Sequence, residues 1–279
     1  MNLLITGGDG FLAKECWDYF SANSLYNVIV TNRSNLDILK PQAVKNFFKK
    51  HTIDIVIHTA VSGGKRTSKD TIETLHHNIL MYHNLIDNLP RISKMFMFGS
   101  GAEFDRSQNI ENIREEEIFN RYPKDYYGLS KNLISRHSIN LPNVINLRLF
   151  GCFGFHEEPQ RLIRTVDFKI KQNKKIIMDS NHLMDFIYAP DVCRIIEYYL
   201  EDSDLSLPSD INLCYKEKKT ISEIIFLIKN LTSSNNDVIL KNKDLLSYTG
   251  DSCKLDNLSV SLIGLEKGVE ECLKRWKRF

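Results

Sequence analysis

Short runs of apolar residues alternate with amphipathic stretches along the first half of the chain. The runs lack the polar–apolar alternation of a half-exposed strand, which predicts strands that are buried on both faces. The stretches between them repeat apolar residues at helical spacing, and Pro41 opens one of them. In the first predicted helix, Leu12, Trp17 and Phe20 share one side, the expected buried face. The predicted strands lie at 1–6, 28–30, 55–57, 95–98 and 144–150, and the predicted helices at 11–23, 41–48, 71–88 and 127–139.

The strict order of strand and helix determines the fold class. Parallel strands need crossovers of a dozen or more residues, and the predicted helices supply them. The pattern therefore predicts an α/β fold, a Rossmann-like doubly wound parallel sheet, whose ligands bind beyond the carboxyl ends of the strands.

The alternation loosens after Gly151, where we expect a smaller C-terminal substrate-binding lobe. The later predicted elements are helices at 160–172 and 191–201, a short strand at 176–178, a helix that begins at Thr220 or Ser222, and a helix that ends at Trp276. We assign residues 1–150, with about 183–200, to a dinucleotide-binding domain, and about 151–182 with 201–279 to the substrate lobe.

The composition argues against several classes of partner. The 279 residues carry 37 Lys plus Arg against 35 Asp plus Glu, a net charge of +2, which gives little attraction to nucleic acid. No apolar run approaches the roughly 20 residues that a membrane-spanning helix needs, so no membrane partner is expected. The six cysteines show neither metal-ligand spacing nor a C-x-x-C pair, and no metal is predicted. We expect them to be free thiols in a reducing compartment, the cytoplasm.

A glycine-containing turn follows the first predicted strand. In Gly7-x-x-Gly10-x-x-Ala13 the glycines allow a tight turn and a close approach of the backbone to a pyrophosphate. The amino terminus of the following helix then stabilises the phosphate charge. The third position needs only a small residue, which Ala13 provides. At this place in the pattern the motif predicts a dinucleotide site, whereas the same spacing elsewhere is an ordinary glycine turn.

The end of the second predicted strand bears on the choice between NAD and NADP. NAD-binding proteins of this fold class usually carry an acidic residue there for the ribose 2′-hydroxyl, and Thr31-Asn32-Arg33 contains none. Arg33 suits the 2′-phosphate of NADP, which a carboxylate would repel. The sequence therefore favours NADP (NADPH) and leaves NAD as the alternative, since Asp9 in the glycine turn is anionic.

Tyr127 and Lys131 lie four residues apart on a predicted helix and therefore on one face. A free tyrosine has a pKa of about 10, too high for efficient proton exchange near neutrality. A neighbouring cation, together with the nicotinamide, is expected to lower that pKa, so that the phenol exchanges a proton with a carbonyl or hydroxyl. Ser100 ends the fourth predicted strand, where its hydroxyl can bond the reacting oxygen. The three side chains are predicted to converge at the carboxyl edge of the sheet.

Further segments extend these motifs over nearly the whole chain. They are Thr6 to Ala13, His58 to Ala60, Gly99-Ser100, Tyr127-x-x-x-Lys131, Leu147 to Phe150, Asp185 to Tyr188 and Tyr248 to Asp251. With them the chain resembles the extended short-chain dehydrogenase/reductases that act on nucleotide-activated sugars, the epimerase/dehydratase/reductase group. The resemblance implies that Ser100, Tyr127 and Lys131 are the catalytic residues.

Within that group the chain is most similar to the GDP-fucose synthases, which reduce 4-keto-6-deoxy sugars, through the spacing of residues 30–54 and Gly63-Gly64. In that branch an arginine after the second strand serves NADP, which supports Arg33. The resemblance also implies a homodimer formed through the helices at 71–88 and 127–139. It places further cofactor contacts at Phe11, Leu12, Asp37 and Ala60.

Two positions after the fourth strand depart from the related enzymes. Where related 3,5-epimerase/reductases carry a proton-transferring cysteine and dehydratases an acid pair, this chain has Gly101 and Ala102. Because neither can move a proton, the departure disfavours dehydration and epimerisation at carbons three and five. Glu103 is displaced by one residue, and on an extended chain it is expected to point away from the Ala102 side. It stays a candidate for a replacement acid.

The resemblance assigns substrate contacts to residues near the inferred reaction centre and in the later lobe. His156 and His182 lie in segments that approach the sugar, and histidine titrates near neutrality, so either is able to assist proton transfer. Arg161 and Arg164 share a helical face that suits a pyrophosphate, although a solvated surface explains them equally well. The predicted substrate contacts are Ala102, His156, Arg161, Arg164, His182 and Asp251.

The leading hypothesis is an NADPH-dependent reductase of a nucleotide-linked 4-keto-6-deoxy sugar. Hydride reaches the keto carbon, Tyr127 protonates the alkoxide, Ser100 hydrogen-bonds that oxygen, and Lys131 holds the ribose. An NAD-dependent 4-epimerase uses the same side chains and stays open as an alternative. A non-catalytic protein that binds NADP and regulates a partner is disfavoured, because Tyr127 and Lys131 are both retained.

Overall fold

The computed structural model describes residues 1–64, 68–201, 207–241, 243 and 245–277. Residues 202–206, 242, 244, 278 and 279 of the predicted substrate lobe lie outside this description. The strands are β1 (Asn2–Thr6), β2 (Asn27–Thr31), β3 (Ile55–His58), β4 (Lys94–Ser100), β5 (Ile110–Ile113), β6 (Val144–Leu149), β7 (Cys152–Phe153), β8 (Ile176–Met178), β9 (Ile187–Tyr188), β10 (Asp210–Leu213), β11 (Val238–Leu240) and β12 (Tyr248–Gly250). The helices are α1 (Phe11–Ser21), α2 (Pro41–Lys50), α3 (Ile72–Ile86), α4 (Tyr126–Ser138), α5 (Leu162–Lys171), α6 (Ala189–Glu201), α7 (Ile221–Thr232), α8 (Cys253–Asp256) and α9 (Leu265–Trp276), with short 3-10 turns at Leu89–Arg91, Gly101–Phe104 and Glu115–Phe119.

A sheet of six parallel strands, in the order β10-β6-β4-β3-β1-β2, forms the centre of the molecule. Leu4 of β1, for example, lies beside Ile29 of β2 on one side and Val56 of β3 on the other. The chain thus crosses over in opposite directions from β1, which confirms the predicted doubly wound α/β fold. The reversal opens a crevice at the carboxyl ends of β1 and β3, where such sheets bind ligands.

Successive residues of a strand point to opposite faces, and the apolar core follows that rule. Leu3 and Ile5 of β1 pack on the face covered by α1 and α6, whereas Leu4 packs on the face covered by α2 and α3. All of these side chains are fully buried. Burial on both faces therefore explains why the strands read as uninterrupted apolar runs.

The orientation of α1 corrects the prediction for Trp17. Ala13, Cys16 and Phe20 form the buried side of the helix, whereas Trp17 is 49% exposed and Leu12 is half-buried. Trp17 follows Cys16 by one residue, and the step of about 100° around a helix turns it towards solvent. The prediction was wrong for Trp17 because the packed stripe includes the small residues Ala13 and Cys16 in its place. Phe20 is buried and Leu12 packs against the same core, as predicted.

The outermost strand, β10, was not among the predicted strands. Its sequence alternates Asp210 and Asn212 with Ile211 and Leu213, unlike the apolar runs at 55–57 in β3 and 95–98 in β4. Both polar side chains are buried next to Arg148 of β6, which donates to them at 2.8 Å and 3.1 Å respectively. A charged partner in the neighbouring strand is therefore what allows this strand to be polar.

The later part of the chain has an apolar cluster of its own, around α5, α7 and α9. Thr220, one of the two predicted start points, caps α7: its N–H donates to Glu223 at 2.7 Å and its hydroxyl accepts the Glu223 N–H at 3.3 Å. Small parallel pairs, β8 with β11, β7 with β9 and β5 with β12, accompany these helices. Within the described ranges, none of the helices has the length and apolarity to cross a membrane.

Candidate active site

The glycine turn after β1 forms a cradle at the crevice of the sheet. Gly7 adopts a φ of +74°, and a Cβ atom there would lie 2.7 Å from the Ala60 backbone. Gly10 donates its N–H to the Gly7 carbonyl oxygen at 2.9 Å, and α1 begins at the next residue. Glycine is required for this conformation and for the close approach of the loop after β3. The first N–H groups of α1 have no partner within the helix, so they suit a phosphate.

Most of the predicted cofactor contacts surround this cradle. Ala60 lies directly against Gly7, and Phe11 and Leu12 are the first residues of α1, both half-buried. Ala13 is fully buried, which fits the small residue that helix-on-strand packing requires at this position. The residues present therefore fit the pyrophosphate of a dinucleotide.

Arg33 stands exposed just beyond β2. Its neighbour Asn32 donates to the Asp9 carboxylate at 3.0 Å, so the anionic group of the glycine turn is engaged by an amide. Asp37 accepts the Leu39 N–H at 3.2 Å and stabilises the turn before α2. The arrangement leaves the cationic side chain of Arg33 in solvent at this rim.

Ser100 ends β4 and begins the 3-10 turn Gly101–Phe104. Its Oγ accepts the Ala102 N–H at 3.2 Å, and its own N–H donates to Glu103 Oε1 at 2.8 Å. These two bonds form a capping box, for which Ser-x-x-Glu is the sequence signature. The expectation of an extended chain here was wrong: Glu103 turns back onto Ser100, and Ala102 is fully buried beside it.

The other carboxylate oxygen of Glu103 binds Arg148 inside the protein. Arg148 Nε lies 2.6 Å from Glu103 Oε2, and Arg148 Nη2 lies 2.8 Å and 3.0 Å from the two Asp210 oxygens. Although burial lowers the pKa of Arg148, the two carboxylates raise it by more, so the guanidinium stays charged. Since both Glu103 oxygens are occupied, we assign Glu103 to the support of Ser100 and not to proton transfer.

Asp125 caps α4 by accepting the Gly128 N–H at 2.7 Å, which sets Tyr127 in the first turn of the helix. There the Tyr127 hydroxyl lies close to the Ser100 hydroxyl. Burial raises the pKa of Tyr127, while the Ser100 hydrogen bond and the charge of Arg106 oppose that rise. The structure therefore brings together the two hydroxyls that the sequence analysis placed at the reaction centre.

Lys131 lies one turn further along α4 and points back to β4. Its Nζ donates to the Phe98 carbonyl oxygen at 2.7 Å. Burial lowers the pKa of Lys131 to about 8, against the influence of Glu103. In the chain by itself, burial of the phenol outweighs the influences that lower the Tyr127 pKa. The lowering expected with the nicotinamide bound stays a prediction.

His58 closes the crevice at the end of β3. Its Nδ1 lies 2.8 Å from Thr6 Oγ1. Burial, and to a smaller extent Lys131, lowers the pKa of His58 to about 3, so the imidazole is neutral. His58, Ala60 and Lys131 line one small cavity between the ends of β3 and β4 and the helices α3 and α4.

Two side chains to which the sequence analysis gave no role complete the surroundings of Ser100. The Tyr248 hydroxyl oxygen lies 3.4 Å from Ser100 Oγ. The Arg106 guanidinium lies 5.7 Å from the centre of the Tyr127 ring and binds Asp125 at 2.8 Å. Tyr248 begins the Tyr-Thr-Gly-Asp motif, which was a usable signal, whereas no motif marks Arg106.

The predicted arginine pair does not act as a pair. Arg161 donates to the Cys152 carbonyl oxygen at 2.8 Å, and its guanidinium lies 5.9 Å from the Phe11 ring, next to the cradle. Arg164 stacks instead on Trp276 of α9, 4.4 Å from the ring centre. Of the two, only Arg161 lies beside residues of the candidate cofactor site.

The remaining predicted substrate residues lie among other partners. His156 Nε2 is 2.9 Å from Asp18 of α1, and His182 Nδ1 is 3.3 Å from Ser180 Oγ. Asp251 accepts the N–H of the first residue of α8 at 2.8 Å. The substrate roles of these residues stay predictions. Among the residues that the structure describes, no cluster of His, Cys, Asp and Glu suits a metal ion.

Comparison with known proteins identifies the family and the fold. The profile of the NAD dependent epimerase/dehydratase family matches residues 3–214. The GDP-6-deoxy-D-talose 4-dehydrogenase of Aggregatibacter actinomycetemcomitans is 22% identical over 92% of this chain and 91% of that protein. The GDP-L-fucose synthase of Azorhizobium caulinodans is 24% identical over 85% of this chain and 83% of that protein. The GDP-mannoheptose C4 reductase from Campylobacter jejuni, solved with NADP bound, has the same fold, with a TM-score of 0.84, 18% identity and coverage of 100% and 98%.

Proposed function

Because the chain belongs to the NAD dependent epimerase/dehydratase family, we propose that it is an NADPH-dependent reductase of a nucleotide-linked 4-keto-6-deoxy sugar. The observation that carries the proposal is the placement of the Tyr127 phenol next to the Ser100 hydroxyl, with Lys131 on the same helix, beside the glycine cradle. The next positions after Ser100 hold Gly101 and Ala102, which supply no second acid or base. A simple ketone reduction needs none.

The proposed chemistry uses one proton donor. NADPH, when bound, supplies the hydride. Tyr127, whose raised pKa keeps it protonated at neutral pH, transfers its proton to the oxygen of the reduced carbonyl. Ser100 donates a hydrogen bond to that same oxygen, which stabilises the negative charge as it develops. Lys131 supplies positive charge on the helix that carries Tyr127, and the phenolate then recovers a proton from solvent.

The cofactor assignment rests on the cradle and on Arg33. Gly7 and Gly10 would hold the pyrophosphate at the start of α1, and Ala60, Phe11, Leu12 and Asp37 would lie around the rest of the dinucleotide. We propose NADP over NAD because Arg33 is exposed at the rim and the nearby Asp9 is already bound by Asn32.

The relatives suggest where to begin with the substrate. The names of these three relatives all specify GDP-linked sugars, and two of them specify chemistry at carbon four. We therefore propose a GDP-linked 4-keto sugar as the first substrate to test, held by the lobe of residues 151–182 and 201–279, with Arg161 near its pyrophosphate. We also propose a cytoplasmic homodimer that meets through α3 and α4.

A panel of 4-keto sugars linked to GDP, dTDP and UDP, each mixed with NADPH or NADH, tests the function. NADPH oxidation with one of these sugars, and an NMR spectrum showing a new C4 hydroxyl, would support the proposal. Turnover of an unoxidised UDP-hexose with catalytic NAD would instead identify a 4-epimerase. Tyr127→Phe is the control, because it removes only the proposed proton donor.

A further inference from the structure

The Tyr248 hydroxyl reaches the reaction centre from a distant part of the chain. The backbone of Tyr248 is fixed on both sides: its N–H donates to the Leu183 carbonyl at 2.9 Å, and its carbonyl accepts the Asp185 N–H at 3.2 Å. Its ring packs edge-on against Phe150, with 5.3 Å between the ring centres. The side chain is thus held by a strand and a packed ring, and its approach to Ser100 is not that of a free surface residue.

Gly101 provides the space that the Tyr248 ring occupies. A Cβ atom at Gly101 would lie 2.8 Å from Tyr248 Cζ and 2.4 Å from Phe150 Cδ1, both too close for a real side chain. Gly101 has a negative φ, so its backbone conformation does not by itself demand glycine. The absence of a side chain after Ser100 is therefore explained by the phenol that takes its place.

The other hydrogen bonds of Ser100 Oγ indicate which hydroxyl donates in the contact between Ser100 and Tyr248. A serine hydroxyl has one proton and two lone pairs. The Ala102 N–H donates into one lone pair at 3.2 Å, and the remaining neighbours are the hydroxyls of Tyr127 and Tyr248. Burial raises the pKa of Tyr248, so this phenol keeps its proton. If it donates to the second lone pair, the Ser100 proton is left to point towards the Tyr127 oxygen or the substrate.

We propose that Tyr248 is a positioning residue of the reaction centre, whose hydroxyl donates to Ser100 and thereby directs the Ser100 proton to the side where Tyr127 and the sugar oxygen meet. The kinetic test of this proposal rests on the proposed reductase function, whereas the NMR test described below needs no substrate. Tyr127 also faces the charges of Arg106, Glu103 and Asp70, none of which Tyr248→Phe alters.

The kinetic test uses Tyr248→Phe, which removes the hydroxyl and keeps the ring against Phe150. We expect kcat to fall about 10-fold, the value of one hydrogen bond, with KM for the sugar changed less than about twofold. Without this bond, Ser100 stabilises the Tyr127 phenolate less well, so the pKa of Tyr127 rises. The high-pH limb of the kcat profile should therefore shift to higher pH. Tyr199→Phe is the control, since its buried hydroxyl donates to the Pro208 carbonyl at 2.7 Å, away from Ser100. This control should leave both kcat and the pH profile unchanged.

A double-mutant cycle shows whether Tyr248 acts through Ser100. In the Ser100→Ala background, Tyr248→Phe should have almost no further effect on kcat, because the acceptor is already missing. Independent, multiplying losses would overturn the proposal, since they would mean that Tyr248 acts on the substrate directly.

An NMR titration of ring-labelled tyrosine measures the pKa of Tyr127 directly, so it tests the role of Tyr248 without a substrate. The Tyr127 signal, assigned by its loss in Tyr127→Phe, should titrate at higher pH in Tyr248→Phe than in the parent or in Tyr199→Phe. An unchanged Tyr127 titration would refute the role of Tyr248. If the parent reduces no sugar in the panel while Tyr127 still shifts, the reductase proposal fails and the positioning role stands.

Discussion

Replacing Glu103 removes the carboxylate that joins Ser100 to Arg148. Glu103 is fully buried and accepts from the Ser100 N–H at 2.8 Å and from Arg148 at 2.6 Å. In Glu103→Ala the Ser100 N–H loses its partner, which costs about 1–3 kcal/mol. Arg148 loses one of its two carboxylates, and breaking a buried ion pair costs about 3–5 kcal/mol when nothing compensates.

Asp210 still binds Arg148 through both oxygens, so the second cost is reduced. We therefore expect Glu103→Ala to lower the free energy of unfolding by about 4 kcal/mol, a large share of the roughly 5–15 kcal/mol of an ordinary protein. Glu103→Gln keeps one oxygen, which accepts the Ser100 N–H, but its NH2 group then faces the Arg148 Nε donor, so that hydrogen bond is lost. Its expected cost is about 2–3 kcal/mol, less than that of Glu103→Ala, with kcat largely retained.

Urea unfolding, followed by tryptophan fluorescence, measures these differences directly. Glu270→Ala is the matched control, since it removes a carboxylate from an exposed pair with Lys274 and should cost less than about 0.5 kcal/mol. If Glu103→Ala were as mild as Glu270→Ala, the buried ion pair would not support the catalytic turn. If Glu103→Gln abolished activity without loss of stability, Glu103 would be the replacement acid that the geometry argues against.

The remaining predictions concern the proton donor, the cofactor rim and two buried titratable groups. Tyr127→Phe should lower kcat in the NADPH oxidation assay by about 10²–10⁴-fold while leaving NADPH binding, measured by fluorescence, unchanged. Arg33→Ala should weaken NADPH by about 10-fold or more and leave NADH unaffected, as expected for a charge-assisted hydrogen bond to the 2′-phosphate; equal loss for both cofactors would contradict the assignment. Burial lowers the pKa of His58 to about 3 in the folded chain. Below a pH of about 6.5, His58 therefore binds a proton in the unfolded chain but stays neutral in the folded chain. Stability should therefore be complete above that pH and fall by about 1.4 kcal/mol per unit below it, a slope that His58→Asn should reduce in urea titrations. Burial raises the pKa of Glu157 to about 7. Its favourable contribution to the free energy of unfolding is therefore present at low pH and is lost as the pH rises through 7. Glu157→Gln should accordingly increase the free energy of unfolding at pH of about 8 by about 1–3 kcal/mol, and no change there would refute the burial argument.

The central fold was predictable because its chemistry is local. Strands such as β1 have an apolar interior (Leu3, Leu4 and Ile5), and the helices between them repeat apolar residues at helical spacing, so the pattern alone gives the type and order of these elements. The helix carrying Tyr127 was expected at 127–139 and spans Tyr126–Ser138. The strand β10 was not predicted because its polar residues are stabilised by Arg148, some 60 positions earlier in the chain, and the sequence pattern does not show that pairing.

The parts of the site that depend on the spacing of residues along a strand or helix were predictable. The parts that depend on a turn of the chain or on contacts between distant residues were not. Ser100, Tyr127 and the glycine cradle follow directly from strand ends and one helical turn. The turn at Glu103 had a signal, the Ser-x-x-Glu spacing of a capping box, which the expectation of an extended chain overlooked. The approach of Tyr248 to Ser100 joins residues 148 positions apart. The Tyr-Thr-Gly-Asp motif marks Tyr248 as part of the substrate lobe, but it does not show that the phenol contacts Ser100.

The most direct test of the account follows a deuterium label from the nicotinamide C4 of NADPH into the sugar. With a GDP-linked 4-keto-6-deoxy sugar as acceptor, the account predicts deuterium at C4 of the product from the parent enzyme and almost none from Tyr127→Phe. Failure of the parent to transfer the label to any 4-keto nucleotide sugar, while it still binds NADPH, would contradict the reductase assignment.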